Sequence, residues 1–172
     1  MSGVVVWFTG LPAAGKSTLA EQVRDRLKAE KIPVCLLDGD VVRTCLVPPL
    51  GYTARARDAF YETLGRLAAM LAYQGLAVLV PATAYRRDYR SAARARAPSF
   101  VEVYVHATVA ECAARDSKGL YQDAGSGKLR GLPGADIDYE VPPSPDVVAQ
   151  GGQDLTAVAE VVRMVAGRCR PG

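Results

Sequence analysis

The stretch VVVWFTGLPAAGKST, residues 4–18, determines the fold predicted for this chain. Its first five residues are apolar, which is typical of a short strand buried on both faces of a sheet. Residues 10–17, GLPAAGKS, follow directly and satisfy the pattern G-x-x-x-x-G-K-[ST]. Leu19, Val23 and Leu27 then recur at helical spacing, so the pattern lies between a predicted strand and a predicted helix. This context indicates a phosphate-binding loop.

The residue types in this loop suit a nucleoside triphosphate with Mg²⁺. Glycine lets the backbone curl so that successive N–H groups face phosphate oxygens, and the following helix N-terminus adds positive potential. Lys16 is expected to reach the β- and γ-phosphates, Ser17 to bind Mg²⁺, and Thr18 to lie near the α-phosphate. The predicted ATP-binding residues of the loop are Gly10, Leu11, Pro12, Ala13, Ala14, Gly15, Lys16, Ser17 and Thr18.

Strands and helices alternate along the rest of the chain. Apolar segments at 34–40, 76–84, 100–107 and 146–150 predict four more strands. Helices are predicted between them, one of them closed by Gly75 and another capped by Thr108. The alternation predicts an α/β fold, the three-layer α/β/α P-loop NTPase or kinase fold with a parallel central sheet. Residues 1–172 are expected to form one domain.

The stretch SKGLYQDAGSGKLRGLPGA, residues 117–135, is polar, rich in glycine, and without apolar periodicity. A long segment of this kind inside a compact domain is more often functional than a plain connector. It is therefore predicted to be a mobile lid.

Composition excludes several other classes of protein. A net charge of +3 is too small to indicate nucleic-acid binding, and the arginines near 55–57, 86–90 and 94–96 are interpreted as solvated helix faces that could include an anion site. The four cysteines are widely spaced and the chain has one histidine, which argues against zinc or a disulfide framework. No apolar run is long enough to span a membrane, so a cytoplasmic protein is expected.

A second constellation, LLDGDVVR at residues 36–43, comes off the end of the second predicted strand. Asp38 and Asp40 flank a glycine at the edge of the sheet where α/β proteins bind ligands. One carboxylate can hold Mg²⁺ while the other accepts a proton from an attacking hydroxyl, and the sequence does not say which does which. Arg43, one helical turn further on, is expected to bind an acceptor anion. Lys16, Asp38 and Asp40 are the predicted catalytic residues, and Ser17 and Asp38 the predicted metal site.

Taken together, these motifs resemble the adenylylsulfate (APS) kinase family, whose members use MgATP to phosphorylate the 3′-hydroxyl of adenosine 5′-phosphosulfate. The family's D-G-D-x-x-R falls on residues 38–43, its G-F-S/T-x-x-x-R on residues 51–57, and its R-D-P-K-G-L-Y on residues 115–121. The resemblance implies that Arg115 closes over ATP with the lid and that Arg43 and Arg57 bind the phosphosulfate. It further implies acceptor contacts by Asp40, Tyr52, Phe60, Lys118 and Leu132.

The chain departs from the family pattern mainly on the acceptor side. The family's E-N-x-R-R falls on A-F-Y-E-T, residues 59–63, so that Phe60 replaces an amide and Glu62 and Thr63 replace arginines. Ala84 replaces a serine proposed as a phosphorylated intermediate, so direct in-line transfer is expected. Leu132 replaces a phenylalanine that stacks on a nucleotide base.

These departures leave alternative functions open. The first is a related kinase acting on another anionic, nucleotide-linked or small hydroxylated acceptor, and the second is a non-catalytic nucleotide-binding regulator. The second is disfavoured because Lys16 and both aspartates are present. Nucleic-acid binding by the arginine-rich stretch 86–96 is a third and weaker hypothesis. The resemblance also suggests a homodimer.

Overall fold

The structure, a computed structural model, describes residues 2–169. It contains a parallel five-stranded sheet in the order β2-β3-β1-β4-β5. Its strands are β1 (Val4–Thr9), β2 (Val34–Leu36), β3 (Ala77–Pro81), β4 (Phe100–His106) and β5 (Val147–Gln150). The parallel sheet predicted from the sequence is confirmed.

Helices cover both faces of this sheet. They are α1 (Lys16–Ala29), α2 (Gly39–Cys45), α3 (Ala54–Tyr73), α4 (Arg87–Arg96), α5 (Val109–Ala114), α6 (Leu120–Gly125) and α7 (Leu155–Cys169). One core lies between the sheet and helices α1 and α7, and a second lies between the sheet and helices α3 and α4. The predicted three-layer α/β/α class is therefore confirmed.

Strand β1 is the central strand and contributes to both cores. Val4, Val6 and Phe8 belong to the core under α1 and α7, whereas Val5 and Trp7 belong to the core under α3 and α4. All five are buried, which explains why the strand is a continuous apolar run rather than an alternating one. The neighbours of β1 are β3 on one side and β4 on the other, so the strand order reverses at β1. The loop that follows β1 therefore lies at the switch point where open α/β sheets bind ligands.

The second strand differs from its prediction. The apolar run was expected to extend to Asp40, but β2 ends at Leu36 and is half-buried at the edge of the sheet. Asp38 ends the extended backbone because its carboxylate accepts hydrogen bonds from the N–H groups of Asp40 and Val41. This is an N-cap, and α2 begins at Gly39. Thr108, predicted as a cap, does cap α5 in a capping box with Glu111.

The predicted lid, residues 117–135, has structure of its own. Helix α6 lies in its first half, and Gly119, Gly127, Gly131 and Gly134 all adopt left-handed backbone conformations. Several of its residues contact other parts of the molecule, among them Lys118, Tyr121 and Gly131, as described below. The mobility of this segment stays a prediction.

Two features bear on the excluded classes. Among residues 2–169, no helix has the length and apolar character needed to cross a membrane. The arginines of the 86–96 stretch are mostly engaged with carboxylates. Arg90 is buried and paired with Glu102, Arg94 lies near Glu102 and Asp146, and Arg96 is paired with Glu62.

Candidate active site

The phosphate-binding loop packs against the turn that follows β5. Gly15 caps α1 with a φ of 101°, and a Cβ at this position would lie 2.5 Å from the backbone nitrogen of Gly152. Only glycine combines this conformation with such a close approach. The loop is thereby fixed between the end of β1 and the start of α7.

Lys16 extends over the loop from the first turn of α1. Its Nζ donates hydrogen bonds to the carbonyl oxygens of Gly10 at 3.0 Å and Leu11 at 2.7 Å. Burial lowers the pKa of Lys16 to about 8, partly offset by the nearby carboxylates of Asp40 and Asp38. The ammonium group is therefore held at the loop on which phosphate oxygens are expected to lie.

Ser17 and Asp38 connect the loop to α2. The Ser17 hydroxyl donates to Oδ2 of Asp38 at 2.6 Å, while Oδ1 of Asp38 caps α2. Two adjacent hard oxygen ligands fit Mg²⁺, which is typically held by one or two protein oxygens together with phosphates and water. Within residues 2–169, no group of three or more His, Cys, Asp or Glu side chains could hold a metal ion.

Asp40 lies near Lys16 of the loop and also contacts the lid. Its Oδ2 accepts a hydrogen bond from Nζ of Lys118 at 2.6 Å, and both side chains are largely exposed. This bond raises the pKa of Lys118. Asp40 and Lys118 are 78 residues apart in the sequence, and their contact joins α2 to the first residues of the predicted lid.

Arg43 lies one turn along α2 from Asp40, between two aromatic rings. Its guanidinium carbon is 3.8 Å from the centre of the Phe60 ring and 4.5 Å from that of Tyr52. Its Nη1 donates to the carbonyl oxygen of Gly51 at 3.1 Å. The half-buried guanidinium thus has a fixed position beside the aspartates.

Arg57, the second predicted acceptor arginine, lies in the first turn of α3. Its Nη2 donates to the carbonyl oxygen of Gly131 at 2.5 Å, which ties α3 to the lid. Its guanidinium lies 5.4 Å from the ring centre of Tyr85 and 6.0 Å from that of Tyr52. Tyr52 therefore borders both predicted acceptor arginines.

Known proteins share this sequence and this fold. The sequence matches the adenylylsulphate kinase family over residues 2–150. The chain belongs to this family. A curated adenylyl-sulfate kinase from Picosynechococcus sp. is 40% identical over 163 residues, which are 95% of this chain and 91% of that protein. The solved APS kinase of Mycobacterium tuberculosis, in complex with AMPPNP and APS, has a TM-score of 0.87 at 34% identity. The match covers 95% of this chain and 97% of the M. tuberculosis chain.

A third comparison concerns assembly. The hexameric APS kinase from Thiobacillus denitrificans has a TM-score of 0.68 at 26% identity, covering 98% of this chain and 30% of that longer chain. The family resemblance seen in the sequence is confirmed by these matches. The residue roles it implied are not tested by them and stay predictions.

The remaining predicted site residues lie at different distances from the loop. Nε of Arg115 donates to the carbonyl oxygen of Glu111 at 3.3 Å. The Arg115 guanidinium lies beside Gly151, the neighbour of Gly152, against which the phosphate-binding loop packs. Phe60 and Leu132 are both buried, with exposed fractions of 2% and 6%. Phe60 presents its ring to Arg43, and the Leu132 N–H is bound by Asp136.

Three residues of this site were missed by the sequence analysis. Tyr121 donates from its hydroxyl to the carbonyl oxygen of Pro12 at 2.9 Å, so the lid contacts the phosphate-binding loop directly. Tyr85 lies against Arg57, and Asp136 binds the N–H groups of Gly131 and Leu132. Tyr121 belongs to a motif that the sequence does reveal, whereas Asp136 has no local sequence signal.

Ala84 lies in a constrained turn after β3. It is fully buried with a φ of 41°. Its N–H donates to the hydroxyl of Tyr61 at 3.0 Å, and its carbonyl oxygen accepts from Arg90. Arg90 also donates to Glu102 and to the carbonyl oxygen of Glu140. The turn that leads to Tyr85 is thus fixed from both sides.

Proposed function

We propose that this chain is an ATP-dependent adenylylsulfate kinase, which transfers the γ-phosphoryl group of ATP to the 3′-hydroxyl of adenosine 5′-phosphosulfate. The observation that supports this most directly is the position of α2. Its N-cap, Asp38, contacts the phosphate-binding loop through Ser17, and Arg43 one turn later lies among aromatic rings. One short helix therefore connects a triphosphate site with a site for an acceptor anion.

Asp38 and Asp40 have different surroundings, which support a different role for each. Both oxygens of Asp38 are engaged, one with Ser17 and one with the α2 backbone, which suits a metal ligand next to the β- and γ-phosphates. Mg²⁺, when bound by Ser17 and Asp38, supplies charge neutralisation on the phosphate oxygens. Asp40 extends instead toward the lid and the acceptor side. We assign Asp40 as the base.

Transfer requires a single displacement at phosphorus. The acceptor oxygen forms a bond to the γ-phosphorus as the bond to the β–γ bridging oxygen breaks, Asp40 takes the hydroxyl proton, and ADP leaves. Lys16 stabilises the charge on the phosphate oxygens throughout. No enzyme phosphate ester at position 84 is involved, because Ala84 has no hydroxyl group.

The lid contacts support transfer to the acceptor rather than to water. Lys118, Tyr121 and Gly131 contact α2, the phosphate-binding loop and Arg57, respectively. A segment that touches the ATP site and the acceptor site together can enclose both substrates and exclude water.

A coupled ADP-release assay with MgATP, run with and without adenosine 5′-phosphosulfate, tests this proposal. The expected result is ADP release that depends on the acceptor, with a product of the mass of the 3′-phosphorylated nucleotide. Acceptor-independent turnover, or nucleotide binding with no turnover, would contradict it. In that case a screen of other anionic hydroxyl compounds identifies a different acceptor, and failure of them all supports a non-catalytic regulator.

A further inference from the structure

Phe60 occupies a position where the family pattern has an amide, and its surroundings show what the ring does instead. The side chain is 2% exposed and belongs to the core between the sheet and helices α3 and α4. Its outer face lies 3.8 Å from the guanidinium carbon of Arg43, the shortest cation–ring distance described in this molecule. Tyr52 lies against the same guanidinium at 4.5 Å.

Stacking of this kind has a definite effect on an arginine. A ring face attracts the flat face of a guanidinium but uses none of its in-plane N–H groups. Within residues 2–169, the side chain of Arg43 makes one hydrogen bond, from Nη1 to the carbonyl oxygen of Gly51. Most of its donors are therefore free for a ligand. An amide at position 60 could instead hydrogen-bond to a ligand directly, and a buried phenyl group cannot.

We propose that Phe60 is a positioning residue, which holds Arg43 between two rings so that the guanidinium is preorganised for the acceptor's anionic group. This inference rests on the proposed function, because it concerns the acceptor side of the same site. In this proposal the acceptor is recognised through the charge of Arg43 and not through a direct contact with residue 60. Preorganisation of a long side chain matters because ordering it on binding costs affinity.

A double-mutant cycle separates this role from simple core packing. The variants are Phe60→Met, which keeps an apolar side chain of similar length without a ring, Arg43→Ala, and their combination. Phe60→Tyr retains the ring and is the conservative rescue variant. Phe100→Met is the matched control, because Phe100 is also a buried ring beneath an arginine, Arg94 at 4.7 Å, but on another part of the sheet.

The kinetic readout is the KM for adenosine 5′-phosphosulfate compared with the KM for ATP. Phe60→Met is expected to raise the acceptor KM roughly fivefold to tenfold, and Arg43→Ala on the order of 30-fold, with the ATP KM unchanged. The double variant is expected to match Arg43→Ala alone, since Phe60 acts through Arg43. Phe60→Tyr restores the acceptor KM, and Phe100→Met leaves it at the wild-type value.

Several results would overturn the inference. They are additive effects of the two substitutions, an equal rise in the ATP KM, or a rise of the acceptor KM in Phe100→Met. If the wild type does not turn over adenosine 5′-phosphosulfate, the proposed function fails. Urea unfolding of the wild type, the two single variants and the double variant then tests the contact between Phe60 and Arg43 by itself. Non-additive unfolding midpoints support the contact between Phe60 and Arg43, and additive midpoints remove the basis of the proposal.

Discussion

Lys16 makes both of its hydrogen bonds to carbonyl oxygens of its own loop, and its pKa is lowered to about 8 by burial. These two facts have a consequence for binding. The ammonium form attracts phosphate, and bound phosphates in turn favour the ammonium form, so nucleotide binding raises the pKa of Lys16. Between the lower and the higher pKa, binding must therefore be accompanied by proton uptake.

The affinity for ADP is accordingly expected to fall as the pH rises above about 8. The dissociation constant rises by at most about tenfold per pH unit, because a single proton is taken up. Calorimetric titration of ADP on either side of this pH, in two buffers of different ionisation enthalpy, measures both the affinity and the proton uptake.

Two variants make this test specific for Lys16. Lys16→Met is expected to bind ADP weakly, with no proton uptake, and to lose phosphoryl transfer while keeping its fold. Lys28→Met, at an exposed position in the last turn of α1, is expected to keep the wild-type profile. An unchanged profile in Lys16→Met would assign the titration to another group.

At the scale of the structural element, the loop 131–136 contacts Arg57, one of the predicted acceptor arginines. The carboxylate of Asp136 accepts hydrogen bonds from the N–H groups of Gly131 at 2.5 Å and Leu132 at 2.6 Å, and these bonds lower its pKa. The carbonyl oxygen of Gly131 in turn accepts from Arg57. The loop thus connects the carboxylate of Asp136 to the guanidinium of Arg57.

Asp136→Ala is expected to loosen this loop and to raise the acceptor KM several-fold, because Arg57 loses an ordered partner. Amide hydrogen exchange at Gly131 and Leu132 should accelerate. Because the pKa of Asp136 is lower in the folded chain, its stabilising effect is present above its unfolded pKa. The effect is lost as the pH falls through the folded value, so acid should lower the protection of the same two amides in the wild type, measured as their exchange rate relative to the intrinsic rate at each pH.

Asp138→Ala, two residues beyond this loop, serves as the control. Asp138 is exposed, and its substitution should change neither exchange nor KM. If both variants accelerate exchange equally, the effect belongs to the loop as a whole and not to the Asp136 carboxylate.

For the whole molecule, the phosphate-binding loop depends on an element at the other end of the chain. A Cβ at Gly152 would lie 2.7 Å from the carbonyl oxygen of Gly15 and 3.1 Å from Cβ of Thr18. Gln22 of α1 also donates to the carbonyl oxygen of Gly152 at 2.7 Å. The turn between β5 and α7 therefore supports the loop from behind.

Gly152→Ala is expected to displace the loop, lowering ADP affinity on the order of tenfold and stability by about 1–3 kcal/mol. Urea unfolding and ADP titration measure the two effects. Gly167→Ala is the matched control, because a Cβ there meets no atom within 4 Å and lies within α7. It should raise stability by about 0.5–1 kcal/mol and leave ADP binding unchanged. Unchanged binding in Gly152→Ala would show that the loop does not need this support.

Assembly also belongs to this scale. The homodimer suggested by the family resemblance stays a prediction, which sedimentation of the purified chain can test. The single-domain organisation of residues 1–172 is likewise a prediction.

The features that the sequence determined are local ones. The loop of residues 10–17 is set by spacing within one turn, the strands by continuous apolar runs, and the cap at Thr108 by a residue three positions away. Each depends on neighbours along the chain, so a linear pattern is sufficient to predict it. The boundary of β2 was predicted incorrectly because the Asp38 cap competes with the apolar run.

The tertiary structure alone decided the acceptor side. Phe60 beneath Arg43, Tyr85 beside Arg57, and Lys118 on Asp40 join residues from separate elements, and no periodicity connects them. Such contacts depend on how α2, α3 and the lid are arranged above the same edge of the sheet. The sequence therefore determined the position of the predicted phosphate-binding loop, and only the packing of distant segments determined what surrounds the predicted acceptor arginines.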